Sequence, residues 1–406
     1  MRKGTRKMED FEPKAFVELQ IEQIRQVIGD EKAVIAVSGG VDSSTCAVLT
    51  HHAIGDNLIC VILDDAFMRE SEPEKVAEVL SQPPLNLPMK VERVQQRFLE
   101  ALEGLRDAEE KRRAFRETFY RTLSDVSRRE GSRYLVQGTI LADIIETRGG
   151  IKTQHNVLEQ MGISTRKLYG FKVVEPLATL LKWQVREVAR YLKIPRAISE
   201  RQPFPGPGLS VRVVGEVRPD KLATLKRATA IAEENLAKHA PSQYFAAIID
   251  SKAKPAHPNL KRTRETAARF LSKDVKAVSA RILADKATGI KGKTRKYGWI
   301  VALGCRRDDG GYLPSLGELV KMQDMIIGEN QSLARVLYAV DEKEDKQPYV
   351  ISVRAVNTRD FLTADVSDIP WSTLKRTAER ILKECSNVSS VYYDVTPKPP
   401  ATIEME

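Results

Sequence analysis

The chain has 406 residues, of which 42% are hydrophobic, with 23 Gly and 20 Pro. This composition excludes a collagen-like, coiled-coil or wholly disordered chain, and at roughly 150 residues per domain the length predicts two or three domains. No apolar run reaches the ~18 residues of a membrane-spanning helix, and the N-terminus lacks an apolar signal core, so we expect a cytoplasmic protein. The four cysteines, Cys46, Cys60, Cys305 and Cys385, lack metal-ligand spacing, which favours free thiols.

The net charge of +10 is concentrated in one segment. Residues 251–296 contain fourteen Lys or Arg and three acidic residues, so the rest of the chain carries 51 basic against 52 acidic groups. Such a run is most often a solvated charged helix, and it can also bind RNA. Phe270 is the only Phe, Tyr or Trp in the segment, so it offers little surface on which single-stranded bases could stack, and this weakens the RNA interpretation.

The first half of the chain alternates strand-like and helix-like segments. An apolar run at 33–37 predicts a buried strand, and the polar residues from Asp42 predict a helix that continues to about His52. Further strands are predicted at 57–65, 90–94, 133–136 and 172–177, with helices at 96–130 and 183–193. This alternation predicts an α/β fold with a doubly wound, mainly parallel sheet within residues 20–200.

The second half has a different pattern. Three Pro and two Gly in residues 203–208 predict a fixed, extended loop, and a helix is predicted at 220–239. Strand-like runs at 299–303, 334–340, 349–356 and 390–395, with a helix at 371–384, predict a C-terminal α+β unit. We therefore predict domains at 1–215 and 297–406, joined by a helical connection at 216–296 that contains the basic insertion.

One motif carries a clear chemical signal, Ser38-Gly39-Gly40-Val41-Asp42-Ser43-Ser44, between a predicted strand and a predicted helix. The glycines allow tight curvature and close approach to a ligand, and the amides at the helix start form an anion cradle. The three serines add hydroxyl donors, while Asp42 beside phosphates is best explained as a Mg²⁺ ligand. The pattern GxxxxGK[ST] is absent, which excludes a Walker A loop. The alternative is a Gly-Ser turn that only caps the helix.

The motif resembles the PP-loop of ATP pyrophosphatases, which split ATP between its α and β phosphates. Four further segments resemble GMP synthetases in the same order along the chain: Arg201 with 203–209 (PFPGPGL), 243–246 (QYFA), 354–365 and 398–404 (KPPATIE). The resemblance implies a PP-loop ATP-pyrophosphatase domain followed by a C-terminal α+β dimerisation domain, and hence a homodimer.

The family also implies a reaction. ATP adenylates an oxygen of a purine nucleotide, pyrophosphate leaves, and ammonia displaces AMP, which converts XMP to GMP. By resemblance, Ser38, Gly39, Gly40, Val41, Asp42, Ser43 and Ser44 bind ATP, Asp42 holds Mg²⁺, and Asp42, Lys152 and Lys182 act in catalysis. The nucleotide is expected to contact Arg201, Pro205, Gly206, Lys398, Thr402, Ile403 and Glu404. Each assignment has an alternative: residues 203–208, the proline loop, have only a structural role; the C-terminus is frayed; and Lys152 and Lys182 are solvated surface lysines.

The chain also departs from the family pattern. The usual glutaminase domain is absent, so ammonia is expected either free or from a separate glutaminase subunit, for which the basic segment is a candidate docking surface. Gln154, Gln202 and Met405 replace the family's usual residues, and segments 251–278 and 306–347 are longer than expected. A different keto or lactam substrate therefore stays open, and sulfur transfer to RNA is the rival outside the class.

Overall fold

A computed structural model describes residues 11–148, 165–254, 257–292, 294–305, 313–359 and 362–406. The chain forms two compact units. The first takes in the described residues up to Phe98 and those of Phe115–Gly206, and the second takes in Leu99–Ala114 and Pro207–Glu406. Among the described residues, no helix is long and apolar enough to cross a membrane.

The first unit is built on a five-stranded sheet in the order β3-β2-β1-β4-β5. Every neighbouring pair in it is parallel. The strands are β1 (Ala33–Ala36), β2 (Leu58–Asp64), β3 (Met89–Arg93), β4 (Tyr134–Val136) and β5 (Lys172–Val174). Side chains alternate between two clusters: Ala33 and Ile35 belong to one, and Val34 belongs to the other. Both faces are covered, and the predicted doubly wound α/β sheet is confirmed.

Helices precede, connect and follow these strands, and parallel pairing requires such crossover connections. They are α1 (Pro13–Ile28), α2 (Val41–Ile54), α3 (Glu72–Ser81), α4 (Gln95–Leu102), α5 (Ala108–Glu130), α6 (Leu141–Arg148), α7 (Thr165–Tyr169), α8 (Lys182–Tyr191) and α9 (Arg196–Ser199). The single helix predicted at 96–130 was wrong in one respect, because α4 and α5 are separate. Gly104, between them, has φ +73°, a conformation that glycine adopts without strain.

The second unit contains a seven-stranded mixed sheet, with the order β11-β10-β12-β9-β8-β7 and β6 paired to β10. Its strands are β6 (Gln243–Asp250), β7 (Val278–Lys291), β8 (Thr294–Cys305), β9 (Leu333–Glu342), β10 (Tyr349–Asn357), β11 (Asp365–Val366) and β12 (Val388–Asp394). Its helices include α10 (Pro219–Leu236), α11 (Leu260–Phe270), α12 (Leu316–Glu329) and α13 (Trp371–Glu384). The C-terminal α+β architecture is confirmed, and α13 has the predicted bounds.

The basic segment is only partly helical. It contains α11, but its last third forms β7, which pairs antiparallel with β8 inside the sheet. Two lysines of the basic segment lie over the ring of Trp299 in β8, with the Nζ atoms of Lys254 and Lys286 at 3.6 and 4.6 Å from the ring centroid. The interpretation as one solvated helix is therefore wrong. The domain boundaries predicted at 1–215, 216–296 and 297–406 stay a prediction.

A buried ion cluster lies in the second unit. Asp394 Oδ2 is 2.6 Å from Nη1 of Arg335 and 2.9 Å from Nη1 of Arg354, and all three side chains are fully buried. Burial opposes ionisation of Asp394, but the two arginines outweigh it, and its pKa lies below the usual value. This cluster also holds the C-terminal segment, because Arg335 donates to the carbonyl of Thr402 at 2.8 Å and Arg354 to that of Ile403 at 2.8 Å.

The residues that follow are packed as well. Met405 is fully buried in a cluster with Ala247, Leu283 and Leu337. The backbone of Thr288 donates to the carbonyl of Met405 at 2.8 Å, and the amide of Glu406 donates to Val211 at 3.0 Å. The alternative of a frayed C-terminus is therefore wrong.

The cluster predicts a large effect of Asp394→Asn. The variant leaves two buried guanidiniums without a carboxylate, which costs about 3–5 kcal/mol of unfolding free energy, measured by urea titration at neutral pH. Asp345→Asn, at an exposed position, is the control. Because the pKa of Asp394 is lowered on folding, this stabilisation is present above the pKa of an unfolded Asp and is lost as the pH falls. A loss below ~1 kcal/mol would contradict the role of the cluster.

Candidate functional site

The PP-loop lies where β1 ends and α2 begins. Gly39 has φ +73° and turns the chain, and Gly40 is the N-cap of α2 with no side-chain capping hydrogen bond. The amide of Ser44 donates to the carbonyl of Gly40 at 3.1 Å, which starts the helical ladder. The earlier amides of the first turn have no helical acceptor, so they can donate to an anion.

Hydroxyl groups hold the loop in shape. Ser43 Oγ accepts from the amide of Ser38 at 3.2 Å, lies 3.1 Å from Ser38 Oγ and donates to the carbonyl of Gly40 at 3.2 Å. Ser44 Oγ is buried and has no hydrogen-bond partner among the described residues. The structure thus brings Ser38 and Ser43 into contact, whereas the hydroxyl of Ser44 does not join them.

Asp42 and Lys182 form an ion pair across the site. Lys182 Nζ lies 2.7 Å from Asp42 Oδ2, so the lysine at the start of α8 meets the carboxylate in the first turn of α2. The other carboxylate oxygen, Oδ1, is buried and lacks a hydrogen-bond partner in the part of the chain that the structure describes. A buried oxygen left in this state is the donor that a hard cation such as Mg²⁺ takes. The chemistry of Asp42 therefore fits a metal ligand.

Asp42 is the one candidate metal ligand that the described residues offer at this site. Within the described part of the chain, no group of three or more His, Cys, Asp or Glu is arranged to hold a metal ion. Lys152, the third predicted catalytic residue, and Gln154 lie outside the described residues. Asp143 Oδ2 accepts from the amide of Ile140 at 3.0 Å, so in this structure it caps the start of α6.

Sequence reasoning missed the close contact between the PP-loop and Gly138, the second residue after β4. A Cβ built on Gly138 would lie 2.9 Å from the amide nitrogen of Ser43 and 3.0 Å from the carbonyl carbon of Asp42. Only glycine fits there without moving the PP-loop backbone. The Gly-Thr pair at 138–139 is visible in the sequence, but nothing local in it indicates this contact.

Acidic and polar groups follow Gly138 at the ends of β4 and β5. Thr139 Oγ1 donates to Glu175 Oε1 at 2.6 Å. Cys46 of α2 is fully buried, and its pKa is raised by burial first and then by the negative charges of Asp42 and Glu175. This thiol is therefore a small apolar group of the core and not a nucleophile.

The proline loop is tied to the start of α3. The guanidinium of Arg201 pairs with Glu72, and Arg69 Nη1 lies 3.5 Å from the same Glu72 oxygen. Arg69 in turn covers the ring of Phe204, with its guanidinium carbon 4.2 Å from the ring centroid. Pro205 is half-buried and Gly206 is exposed.

The predicted nucleotide-binding residues near the C-terminus lie in the second unit. Glu404 accepts two parallel hydrogen bonds from Arg212, from Nε at 2.9 Å and from Nη2 at 3.0 Å. The guanidinium carbon of Arg212 lies 4.0 Å from the ring centroid of Phe245. Lys398 pairs through its backbone with Ala364, at 2.8 and 2.9 Å. Arg212 was not predicted, although it follows the proline loop closely in the sequence.

Two family models match the chain. Residues 15–209 match the model described as NAD synthase, and residues 340–405 match the GMP synthase C terminal domain. Among solved structures, the NMN synthetase from Francisella tularensis is similar at a TM-score of 0.38 and 19% identity, covering 50% of this chain and 79% of that chain.

Curated relatives match along the whole chain. A protein of Sulfurisphaera tokodaii, named as a subunit of glutamine-hydrolyzing GMP synthase, is 44% identical over 98% of this chain and 100% of its own length. The proteins of the same name from Saccharolobus solfataricus and Methanopyrus kandleri are 43% and 41% identical, each over 98% of this chain and 100% of their own length. This chain belongs to the family of these GMP synthase subunits.

Proposed function

We propose that this chain is an ATP-dependent ligase that forms a C–N bond, converting XMP to GMP with release of AMP and pyrophosphate. The observation that carries the proposal is the kinship with the GMP synthase subunits along the whole chain. The PP-loop geometry supports it, because an anion cradle at a helix start fits the polyphosphate of ATP.

ATP would bind with its phosphates on Ser38–Ser44. The free amides of the first turn of α2 and the hydroxyl of Ser44 would donate to phosphate oxygens, and the positive end of the helix dipole favours their charge. Mg²⁺, held by Asp42, would neutralise part of the polyphosphate charge. Lys182, whose Nζ lies 2.7 Å from Asp42, would remain close enough to neutralise a further part of the polyphosphate charge.

The chemical step needs no nucleophilic side chain. The carbonyl oxygen of the base, in its enolate form, attacks the α phosphorus in line, and the bond between the α phosphorus and the bridging oxygen breaks. Pyrophosphate departs with the electron pair, and the loop amides, Lys182 and Lys152 would stabilise its charge. Ammonia then adds to the activated carbon, loses a proton, and AMP leaves with its oxygen.

Two sets of residues would contact the nucleotide. Pro205 and Gly206 are expected at the base, and Lys398 is expected at the phosphate, where Thr402, Ile403 and Glu404 would complete the pocket. Glu404 is oriented by the two hydrogen bonds from Arg212, which supports a fixed role in binding. The buried arginines beneath Thr402 and Ile403 keep that segment in one conformation.

Ammonia would come from a separate glutaminase subunit. The relatives are named as subunits of an enzyme that hydrolyses glutamine, and this chain matches them along their whole length. We further propose a cytoplasmic homodimer, on the basis of the family's dimerisation domain. RNA binding by the basic segment is a weaker proposal, which Trp299 with its two neighbouring lysines supports.

Sulfur transfer is the less favoured function. It commonly needs a reactive cysteine, yet Cys46, Cys60 and Cys385 are buried. Burial raises the pKa of Cys60 to about 12 and that of Cys385 to about 11, so neither thiol is ionised at neutral pH. Cys305, the fourth, is partly exposed.

The decisive measurement is pyrophosphate release from the purified protein with ATP, Mg²⁺ and ammonium, with and without XMP. We expect release that depends on XMP and yields GMP in equal amount. Replacing Cys305 by Ser should leave the rate unchanged within about twofold, because the proposed chemistry uses no thiol. If no XMP-dependent release occurs while ATP still binds, the GMP assignment fails, and other keto or lactam nucleotides become the next substrates.

Asp42→Asn tests the polyphosphate site. We expect the rate of pyrophosphate formation to fall by roughly 100-fold, because the neutral side chain would hold Mg²⁺ less well and the charge on the reacting phosphates would be less neutralised. The apparent Mg²⁺ requirement should rise in a titration at fixed ATP. Asp56→Asn, at an exposed position beyond α2, is the matched control and should behave as wild type. An unchanged Mg²⁺ titration would rule out Asp42 as the ligand.

Gly138→Ala tests the close contact with the loop. The added methyl group would push against the backbone of Asp42 and Ser43, so we expect ATP binding to weaken by about tenfold in equilibrium dialysis. Gly317→Ala is the control, because nothing lies within 4 Å of the added Cβ. Equal ATP affinity in both variants would show that the loop tolerates the shift.

A further inference from the structure

Glu72 is a buried carboxylate that the proposed reaction does not use. It is the first residue of α3 and is 4% exposed. Its Oε2 accepts from the amide of Arg69 at 2.8 Å, while its Oε1 meets Arg201 and lies 3.5 Å from Arg69 Nη1. A buried carboxylate with these partners fixes the direction of both guanidiniums.

The two arginines that contact Glu72 lie beside different loops of the first unit. Arg69 covers the ring of Phe204 in the proline loop, at 4.2 Å. Arg201 lies beside the PP-loop, since its Nη1 is 3.5 Å from the position that a Cβ on Gly39 would take. Val76, one turn after Glu72 on α3, lies against the same glycine. Arg201 therefore lies next to the PP-loop, although its neighbours in the sequence are the residues of the proline loop.

The charge of Arg201 is available to a ligand. Its side chain is 25% exposed, whereas Glu72 is enclosed. A guanidinium has five N–H donors in a rigid fork, and the ion pair with Glu72 is made through Nη1 at one end of that fork. The remaining donors of the fork can therefore serve an anion while the ion pair is kept.

We propose that Arg201 contacts the polyphosphate of ATP, and that Glu72 is the positioning residue that holds it beside Gly39. The resemblance assigned Arg201 to the nucleotide substrate, and the geometry moves it to ATP. Arg69, on the same carboxylate, serves the proline loop. Through these two arginines, Glu72 connects the PP-loop and the proline loop within the first unit. This inference rests on the proposed use of ATP but not on the identity of the second substrate.

The test measures ATP affinity alone. The Kd for ATP, with Mg²⁺ and without any nucleotide acceptor, is determined by calorimetry for wild type, Arg201→Ala, Arg201→Lys and Arg69→Ala. We expect Arg201→Ala to raise the Kd by about 10- to 100-fold, in line with loss of a charged hydrogen bond. Arg201→Lys should recover part of the affinity, because it keeps the charge but not the fork. Arg69→Ala, the comparison variant on the same carboxylate, should change the Kd by less than Arg201→Ala does, because it leaves the donors of Arg201 in place.

Steady-state kinetics separate the two assignments. Arg201→Ala should raise the KM for ATP and leave the KM for XMP within about threefold, whereas Arg69→Ala should do the reverse. Glu72→Gln keeps the shape of the side chain but replaces both ion pairs by weaker neutral hydrogen bonds. The KM values for ATP and for XMP should therefore both rise by about three- to tenfold. Thermal unfolding of each variant checks that it is folded, and the Arg201 variants, at a partly exposed position, keep the test usable if Glu72→Gln is unstable.

Three results would overturn the inference. Arg201→Ala with unchanged ATP affinity and a raised KM for XMP would return Arg201 to the nucleotide. Unchanged values for both, with only a lower melting temperature, would make the Glu72–Arg201 pair structural. A wild-type protein that does not bind ATP would end this inference and the proposed function together, whereas one that binds ATP but does not act on XMP would remove the GMP assignment alone.

Discussion

The turn from β1 into α2 is the constraint on which the ATP site depends. Val37 is buried and still bonded to β2, through a 2.8 Å hydrogen bond to the carbonyl of Val61, and the helix begins only four residues later. A reversal this short needs the left-handed Gly39, and the packing around it leaves no space for side chains on Gly39 or Gly138. The residue at the N-cap is also a glycine, Gly40, which has no side chain that could cap the first amides of α2, so these amides stay available to an anion. The two glycines therefore serve both the tight turn and the anion site.

In each of the two units, a buried carboxylate pairs with two arginines beside a loop or terminal segment. Glu72 holds Arg69 and Arg201 beside the two loops of the first unit. In the second unit, Asp394 holds Arg335 and Arg354, which then bind the main-chain carbonyls of the C-terminal segment. Burying such charges costs free energy, and well-packed apolar groups would serve stability equally well. The ion pairs fix the orientation of each guanidinium. Because its N–H donors have a fixed geometry, the guanidinium then favours one arrangement of the groups that it binds.

Features that depend on neighbouring residues in the chain could be predicted, and features made by distant residues could not. The strand, glycine pair and helix at 33–52 are predictable because their signals are local, and so is α13, whose apolar period begins directly after Pro370 and ends at Glu384. The break between α4 and α5 was missed, since the charged period continues across Gly104. The contact of Gly138 with the PP-loop and the pair of Glu72 with Arg201 join residues that only the fold brings together. The pairing of β7 with β8 is local by contrast, a hairpin in which Lys291 lies opposite Thr294, and it was missed because the segment was interpreted as a charged helix.

The path of the chain limits how this protein can be dissected. The backbone passes from one unit to the other three times, after Phe98, Ala114 and Gly206. The excursion Leu99–Ala114 carries Lys111, a fully buried ammonium that pairs with Glu406 and donates to the carbonyls of Val213 and Gly215 at 2.7 Å each. Even beside that cation, burial raises the pKa of Glu406 to about 7. A fragment that starts at Pro207 would keep this enclosed acid and lose the buried ammonium that pairs with it. Expressing the second unit alone would thus require the excursion to be supplied as a separate peptide or spliced onto its N-terminus.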